Sequence, residues 1–163
     1  LTPRQKRDVL PEYNEGVPAV PQLLTRTAAD FIWAANTLAS LGYAEVNLNL
    51  GCPSGTVTAK GKGAGFLAHP DALDRFLDAV FSACTVPISI KTRLGVHDPA
   101  EFEALLEIYS RYPVAELTIH PRVRQDFYNG RVREDAFAAA KLLARSEGLL
   151  CGVTSGAALF AAL

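Results

Sequence analysis

Apolar and polar residues alternate in Val46-Asn47-Leu48-Asn49-Leu50, and Val86, Ile88 and Ile90 repeat the same spacing. Successive side chains of a strand point to opposite faces, so this spacing marks strands with one face in a core. Short apolar runs bounded by turn residues extend the set, and the pattern predicts strands over 17–24, 45–50, 86–92, 114–120 and 149–153. Between them the apolar spacing becomes helical. Phe31, Ala34, Ala35 and Leu38 form one stripe; Leu73, Phe76, Leu77 and Val80 a second; Phe102, Leu105, Leu106 and Tyr109 a third. An Ala-rich stretch over 134–147 gives a fourth helix.

Boundary residues agree with this division. Thr27-Ala-Ala-Asp30 has the form of a capping box, and Gly42 stands where that helix should stop. Pro70 opens the second helix. Asp98-Pro99-Ala100-Glu101 opens the third, with Asp at the N-cap, Pro at N1 and Glu at N3. Gly148 ends the fourth, and Ser155 caps a last one. Residues 1–17 are polar, with solvated Arg4, Lys6, Arg7 and Asp8 and a turn at Asn14-Glu15-Gly16. Strand and helix alternate every 30–40 residues or so, which implies βαβ units and a parallel sheet. The apolar neighbours of the 86–92 strand imply burial on both faces. An open sheet of this kind leaves edges through which copies of the chain can associate.

Composition adds limits. The chain has 163 residues, room for one sizeable core, and 49% hydrophobic with 20% charged residues is ordinary for a globular protein. No apolar run is long enough to span a membrane, and the charged N-terminus lacks the apolar stretch of a secretory signal. Net charge is −1, which neither supports nor excludes a nucleic-acid partner, since a balanced chain can carry a basic face. Cys52, Cys84 and Cys151 make neither a CxxC pair nor a metal-ligand spacing. A sparse, odd set fits a reducing cytoplasm. Cys84 and Cys151 sit among apolar neighbours and are expected to be packing residues. Cys52 differs, because Gly51 and Pro53 stop a strand around it. It is thereby placed at a strand's carboxyl end, where α/β folds collect ligands and catalytic groups.

Four segments carry a family resemblance: Pro21-Gln22-Leu23-Leu24; Asn49-Leu50-Gly51-Cys52-Pro53-Ser54 with Val57 and the run Gly61-Lys62-Gly63-Ala64-Gly65; Ile90-Lys91-Thr92-Arg93-Leu94-Gly95; and Ile119-His120-Pro121-Arg122. In this order they resemble the tRNA-dihydrouridine synthases, flavoenzymes that reduce a uracil of tRNA. The resemblance covers residues 1 to about 132. It implies an α/β fold, a partial (β/α)8 TIM barrel. A complete barrel takes about 250 residues, so the chain corresponds to the barrel's middle. The family's first strand would precede Leu1, and the flavin-phosphate loops and helical domain would follow.

The tail suggests a different source. Glu134-Asp-Ala-Phe137 and the run from Ala144 to Ala158, with its Gly-Val-Thr-Ser-Gly-Ala-Ala motif, resemble the cysteine synthase family of pyridoxal-phosphate (PLP) enzymes. That resemblance implies a cofactor contact at Thr154 or Ser155, without the family's Schiff-base lysine or phosphate loop. The expectation is thus a chimera, with a dihydrouridine-synthase-like part over 1–132 and a helix–strand–helix tail over 133–163, joined near 130–133.

The resemblance also assigns roles. Cys52 is the catalytic acid that protonates C5 of uracil while FMN, reduced by NADPH, delivers hydride to C6. A free thiol is ordinarily protonated at neutral pH and can donate. Asn49 holds the target base. Gln22, Lys91 and His120 contact the flavin, and a cation near its N1–O2 edge stabilises the anionic reduced form. Arg93 and Arg122 contact flavin or RNA phosphate. The partner is tRNA. Each role has a plainer counterpart: a structural cysteine in a turn, a satisfied strand-end amide, a snorkelling lysine, a hydrogen-bonded loop histidine. Tyr128 stacks on a base or packs. The glycine run is no Walker loop, because the earlier glycine is missing. It is expected to cover the site, with Lys60 and Lys62 toward RNA. Rival readings are a PLP enzyme fragment and a non-catalytic barrel fragment that needs a partner.

Overall fold

The computed structural model of the chain describes residues 2–133; the expected helix over 134–147, the strand over 149–153, Cys151 and the motif around Thr154 lie outside them. Four strands form one parallel sheet: β1 (Gln22–Leu23), β2 (Val46–Leu50), β3 (Ile88–Arg93) and β4 (Leu117–His120). Their spatial order is their chain order, and every pair is parallel. That sequential order is the wall of a βα barrel; a doubly wound sheet would reverse direction. The fold is therefore an arc of a (β/α)8 barrel.

Three helices cover one face of the arc: α2 (Ala28–Ser40), α4 (Pro70–Ala83) and α5 (Glu101–Ser110). The predicted stripes are what they bury. Phe31, Ala35 and Leu38 of α2 pack with Leu73, Phe76, Leu77 and Val80 of α4, and with Phe102, Leu105, Leu106 and Tyr109 of α5. Phe76 makes edge-on contacts with Phe31 and Phe66. From the sheet, Val46, Leu48, Leu50, Ile88, Ile90, Leu117 and Ile119 point into the same core. The opposite face of the arc is polar. Gln22 lies beside Asn47, Asn49 beside Lys91, and Lys91 beside Thr118 in register. Lys91 is exposed on this face, so the expected burial of β3 on both sides holds around Ser89 and Thr92 and fails at Lys91.

Some boundaries move for local reasons. The strand expected over 17–24 contracts to Gln22–Leu23, since Pro18 and Pro21 have no N–H for a ladder. Thr27 makes no capping bond; Thr25 Oγ1 instead accepts the Thr27 N–H at 3.1 Å. At the third helix the expected pair does act. Asp98 Oδ1 accepts from Ala100 N at 2.8 Å, and Glu101 Oε1 accepts from Asp98 N at 2.8 Å. These bonds form a turn, and the helix proper begins at Glu101. The polar N-terminus contains a short exposed helix, α1 (Pro3–Val9). Thr2 and Gln5 close it with reciprocal backbone-to-side-chain bonds of 2.8 and 3.3 Å, a capping box in the form Thr-x-x-Gln. Among the described residues no helix is long and apolar enough to cross a membrane.

Candidate active site

The alternation of β2 turns Asn47 and Asn49 to the polar face, where a chain of side-chain amides forms. Asn47 Nδ2 donates to Ser89 Oγ at 2.8 Å, Gln22 Nε2 donates to Asn47 Oδ1 at 2.7 Å, and Asn49 Nδ2 donates to Gln22 Oε1 at 2.6 Å. The chain ends at the cysteine. Asn49 Oδ1 accepts from the backbone N–H of both Gly51 and Cys52, each at 3.0 Å. This is an Asx turn, a local bond that asparagine makes readily at a strand end. Asn49 therefore fixes the turn that presents Cys52, and Gln22 fixes Asn49.

Behind the turn comes α3 (Gly55–Thr58), then a 3-10 helix over Gly63–Ala68. Gly63 and Ala64 are buried, and Ala64 N donates to Cys52 O at 3.0 Å. Gly63 has φ +55°, and a Cβ there would stand 2.8 Å from Cys52 O, so only glycine fits. The glycine run thus packs beneath the cysteine loop and does not cover the site as expected. Apolar Phe66 and Leu67, both buried, draw it into the core.

Arg93 joins two loops. It is 1% exposed. Its Nε donates to Gly51 O at 2.8 Å, and its Nη1 donates to Val123 O at 3.1 Å and Phe127 O at 2.7 Å. Phe127 is the one non-glycine residue with positive φ among those described, at 49°, a costly backbone state that needs such a hold. Arg93 therefore acts visibly as a tie between the loops after β2 and β4. Burial pushes its guanidinium below the ordinary value. The Tyr128 ring stacks over it, 5.4 Å from centroid to guanidinium carbon.

Asn49, Gly51, Cys52, Lys91, Arg93, His120 and Tyr128 line one cavity of about 180 Å³ at the carboxyl ends of β2, β3 and β4. The structure thus brings Asn49, Cys52, Lys91, Arg93 and His120 together; Gln22 supports them through Asn49. Arg122 stands beside His120, its Nη1 3.3 Å from His120 Nε2. A guanidinium can only donate, so Nε2 carries the lone pair and the imidazole is neutral. Burial, then Arg93, Arg122 and Lys91, push its pKa down to about 4. Sequence reasoning left Tyr128 between stacking and packing. It is 67% exposed, and its ring meets that of His120 edge-on at 6.2 Å. Gly51 and Gly63 were missed as site residues; the signal was the Gly-Cys-Pro turn with a second glycine pair downstream. Cys84, expected in the core, is half-buried at the end of α4.

The state of His120 has a pH consequence. An unfolded imidazole takes up its proton near 6.5, the folded one only near 4. Between those values the unfolded chain binds more protons, so His120 costs stability as the pH falls through that window and none above it. Urea midpoints should therefore fall more steeply from pH 7 to pH 4.5 in the parent than in His120→Gln. Parallel curves would show that His120 titrates normally in the fold.

Fold and site together describe a βα-barrel protein with its polar groups gathered at the carboxyl rim of the strands, where such barrels hold their chemistry. The dihydrouridine synthase (Dus) family model matches residues 1–142, and the chain belongs to that family. It is 35% identical over 133 residues to a probable tRNA-dihydrouridine synthase of Rhodobacter capsulatus, a match over 80% of this chain and 40% of the relative. A protein of the same name from Staphylococcus aureus is 37% identical over 89 residues, 55% of this chain and 27% of its own length. One from Staphylococcus epidermidis is 34% identical over 106 residues, covering 65% and 32%. The chain thus spans well under half the length of these relatives.

Proposed function

We propose that this chain carries the base-reducing site of a flavin-dependent tRNA-dihydrouridine synthase, which reduces the C5–C6 bond of a tRNA uracil with FMN and NADPH. The observation that carries this reading is the convergence of Cys52, Lys91 and His120 on one cavity, in a chain of the dihydrouridine synthase family. A tRNA partner and a cytoplasmic setting belong to the same proposal.

The donor set suits one edge of a flavin. Lys91 offers a cation and His120 a neutral imidazole, while Gln22 acts through Asn49; no carboxylate lines the cavity to oppose an anionic ring. Lys91 and His120 would hold a bound FMN, which, reduced by NADPH, would supply the hydride for C6 of the uracil. Lys91 favours negative charge at the ring edge. Cys52 holds a proton at Sγ and passes it to C5 from the face opposite the hydride. Asn49 keeps the backbone of Cys52 fixed and Arg93 keeps that of Gly51, so the thiol is aimed before substrate arrives. Arg122, half-exposed at the rim, donates from Nε to Gly130 O and stands against His120 through Nη1, and its contact with a flavin or RNA phosphate belongs to the same proposal.

The visible spectrum of the purified chain after incubation with FMN tests this. Retained bands near about 375 and 450 nm are expected, the ordinary signature of protein-bound flavin. The tail resemblance carries the competing proposal of a chimera with a PLP segment, which a band near about 410–420 nm would favour. A colourless protein would overturn the flavin reading.

A further inference from the structure

A second cavity, about 430 Å³, opens beside the first and is lined by Arg26, Thr58, Gly61, His69 and Arg124 among others. Its walls come from the loops that follow all four strands: Arg26 after β1, Thr58 and Gly61 after β2, Val96 after β3 and Arg124 after β4. It therefore lies on the same carboxyl face as Cys52. The segment from Gly63 to Gly65 links the surroundings of the two cavities, which have no lining residue in common. Gly63 stands against Cys52, and Gly65 against the backbone of Thr58.

The charge of this second cavity is one-sided. Two arginines and a histidine line it and no carboxylate does. Among the described residues the ion pairs are Arg111 with Asp74 and Arg133 with Asp126, so neither lining arginine is neutralised by one. Arg124 donates from Nη2 to Thr58 Oγ1 at 3.0 Å, and its buried Nε–H has no acceptor. Arg26 is exposed and lies against Gly61, where even a methyl group would meet its Nη1 at 2.6 Å. Two unneutralised guanidiniums with a hydroxyl between elements suit an oxyanion, whose oxygens match the guanidinium fork.

We propose that this cavity binds a backbone phosphodiester of the RNA strand whose base enters the Cys52 cavity. The proposal rests on the reading of that neighbouring cavity as a tRNA-uracil site. A strand that delivers a base to Cys52 must continue over the adjoining loops, and this cavity offers its phosphates positive charge on that path. Contacts of this kind set register and add affinity without reading sequence.

Two measurements on the full chain test it, each with the parent and Arg26→Gln. Arg26 is exposed and makes no side-chain hydrogen bond among the described residues, so the substitution leaves the fold intact, as a thermal melt will verify. Inorganic phosphate, titrated in an amide NMR experiment, should shift Gly61 and Gly65 in the parent and not in the variant. Binding of an unmodified tRNA transcript should weaken about 3–10-fold at low salt in the variant, and the slope of log affinity against log salt should fall by about one. Silent glycine amides, or an unchanged slope while the parent binds tRNA, would overturn the subsite and leave the Cys52 reading standing. Phosphate shifts in a parent that binds no tRNA would overturn the RNA assignment together with that reading.

Discussion

Replacing Cys52 by Ala should slow the oxidation of pre-reduced, flavin-loaded protein by tRNA about 10²–10⁴-fold, the usual cost of losing a general acid. The reduction of the same flavin by NADPH should continue at the parent rate. Under the proposed function the two half-reactions separate, because the thiol would act only on the base and electrons would enter through the flavin. Cys52 is placed for this division: it lines the cavity with Lys91 and His120, and its backbone is held by Asn49 on one side and Ala64 on the other. Cys84→Ala is the control, since Cys84 lies at the end of α4 away from the cavity lining and should change stability more than rate. A Cys52→Ala rate within about twofold of the parent in the tRNA step is far below a general-acid effect and would remove Cys52 from the chemistry. Equal losses in both half-reactions would assign it to the turn alone.

Arg93→Ala should be among the most destabilising single changes in the chain. The guanidinium is 1% exposed and serves the carbonyls of Gly51, Val123 and Phe127. Its removal takes the donor from the Gly51 and Phe127 carbonyls, leaves Val123 O with the Asp126 N–H alone, and frees Phe127 from a positive-φ conformation. An unsatisfied buried acceptor costs about 1–3 kcal/mol, and the loss should fall in that range. Urea unfolding gives the number. A loss below about 1 kcal/mol would mean that water replaces the guanidinium and that the two loops hold themselves. Arg93→Lys discriminates further: a single ammonium cannot span loops that a planar fork does, so it should recover only part of the loss.

This second result bears on what the sequence can say. Arg93 and Arg122 are equivalent as text, each two residues beyond a strand-end group, and both looked like phosphate contacts. In the fold both serve the protein's own carbonyls, Arg93 those of Gly51, Val123 and Phe127 and Arg122 that of Gly130, because loops distant in the sequence meet only there. Asn49 shows the same limit. Its place beside Cys52 was legible from Asn-x-x-Cys at a strand end, yet the geometry first gives it the cysteine's backbone to hold. The helix stripes and the strands β2, β3 and β4 were legible because their periodicity comes directly from burial on one face. The N-terminal helix was missed because its polar residues carry no stripe; the Thr2–Gln5 box was its mark. The glycine run was misjudged because glycine permits an exposed loop and a tight packing contact equally, and only the contact of Gly63 with Cys52 decides between them.

The central claim is that the cavity beside Cys52 reduces uracil in tRNA, and nucleoside mass spectrometry addresses it without intermediary. The purified chain, loaded with FMN and supplied with NADPH, is incubated with an unmodified tRNA transcript. The nucleosides are then examined for uridine that has gained two hydrogens. The account predicts dihydrouridine with the parent and Cys84→Ala proteins and a severe loss with Cys52→Ala. Protein that binds both FMN and tRNA, oxidises NADPH and leaves every uridine unchanged would contradict it.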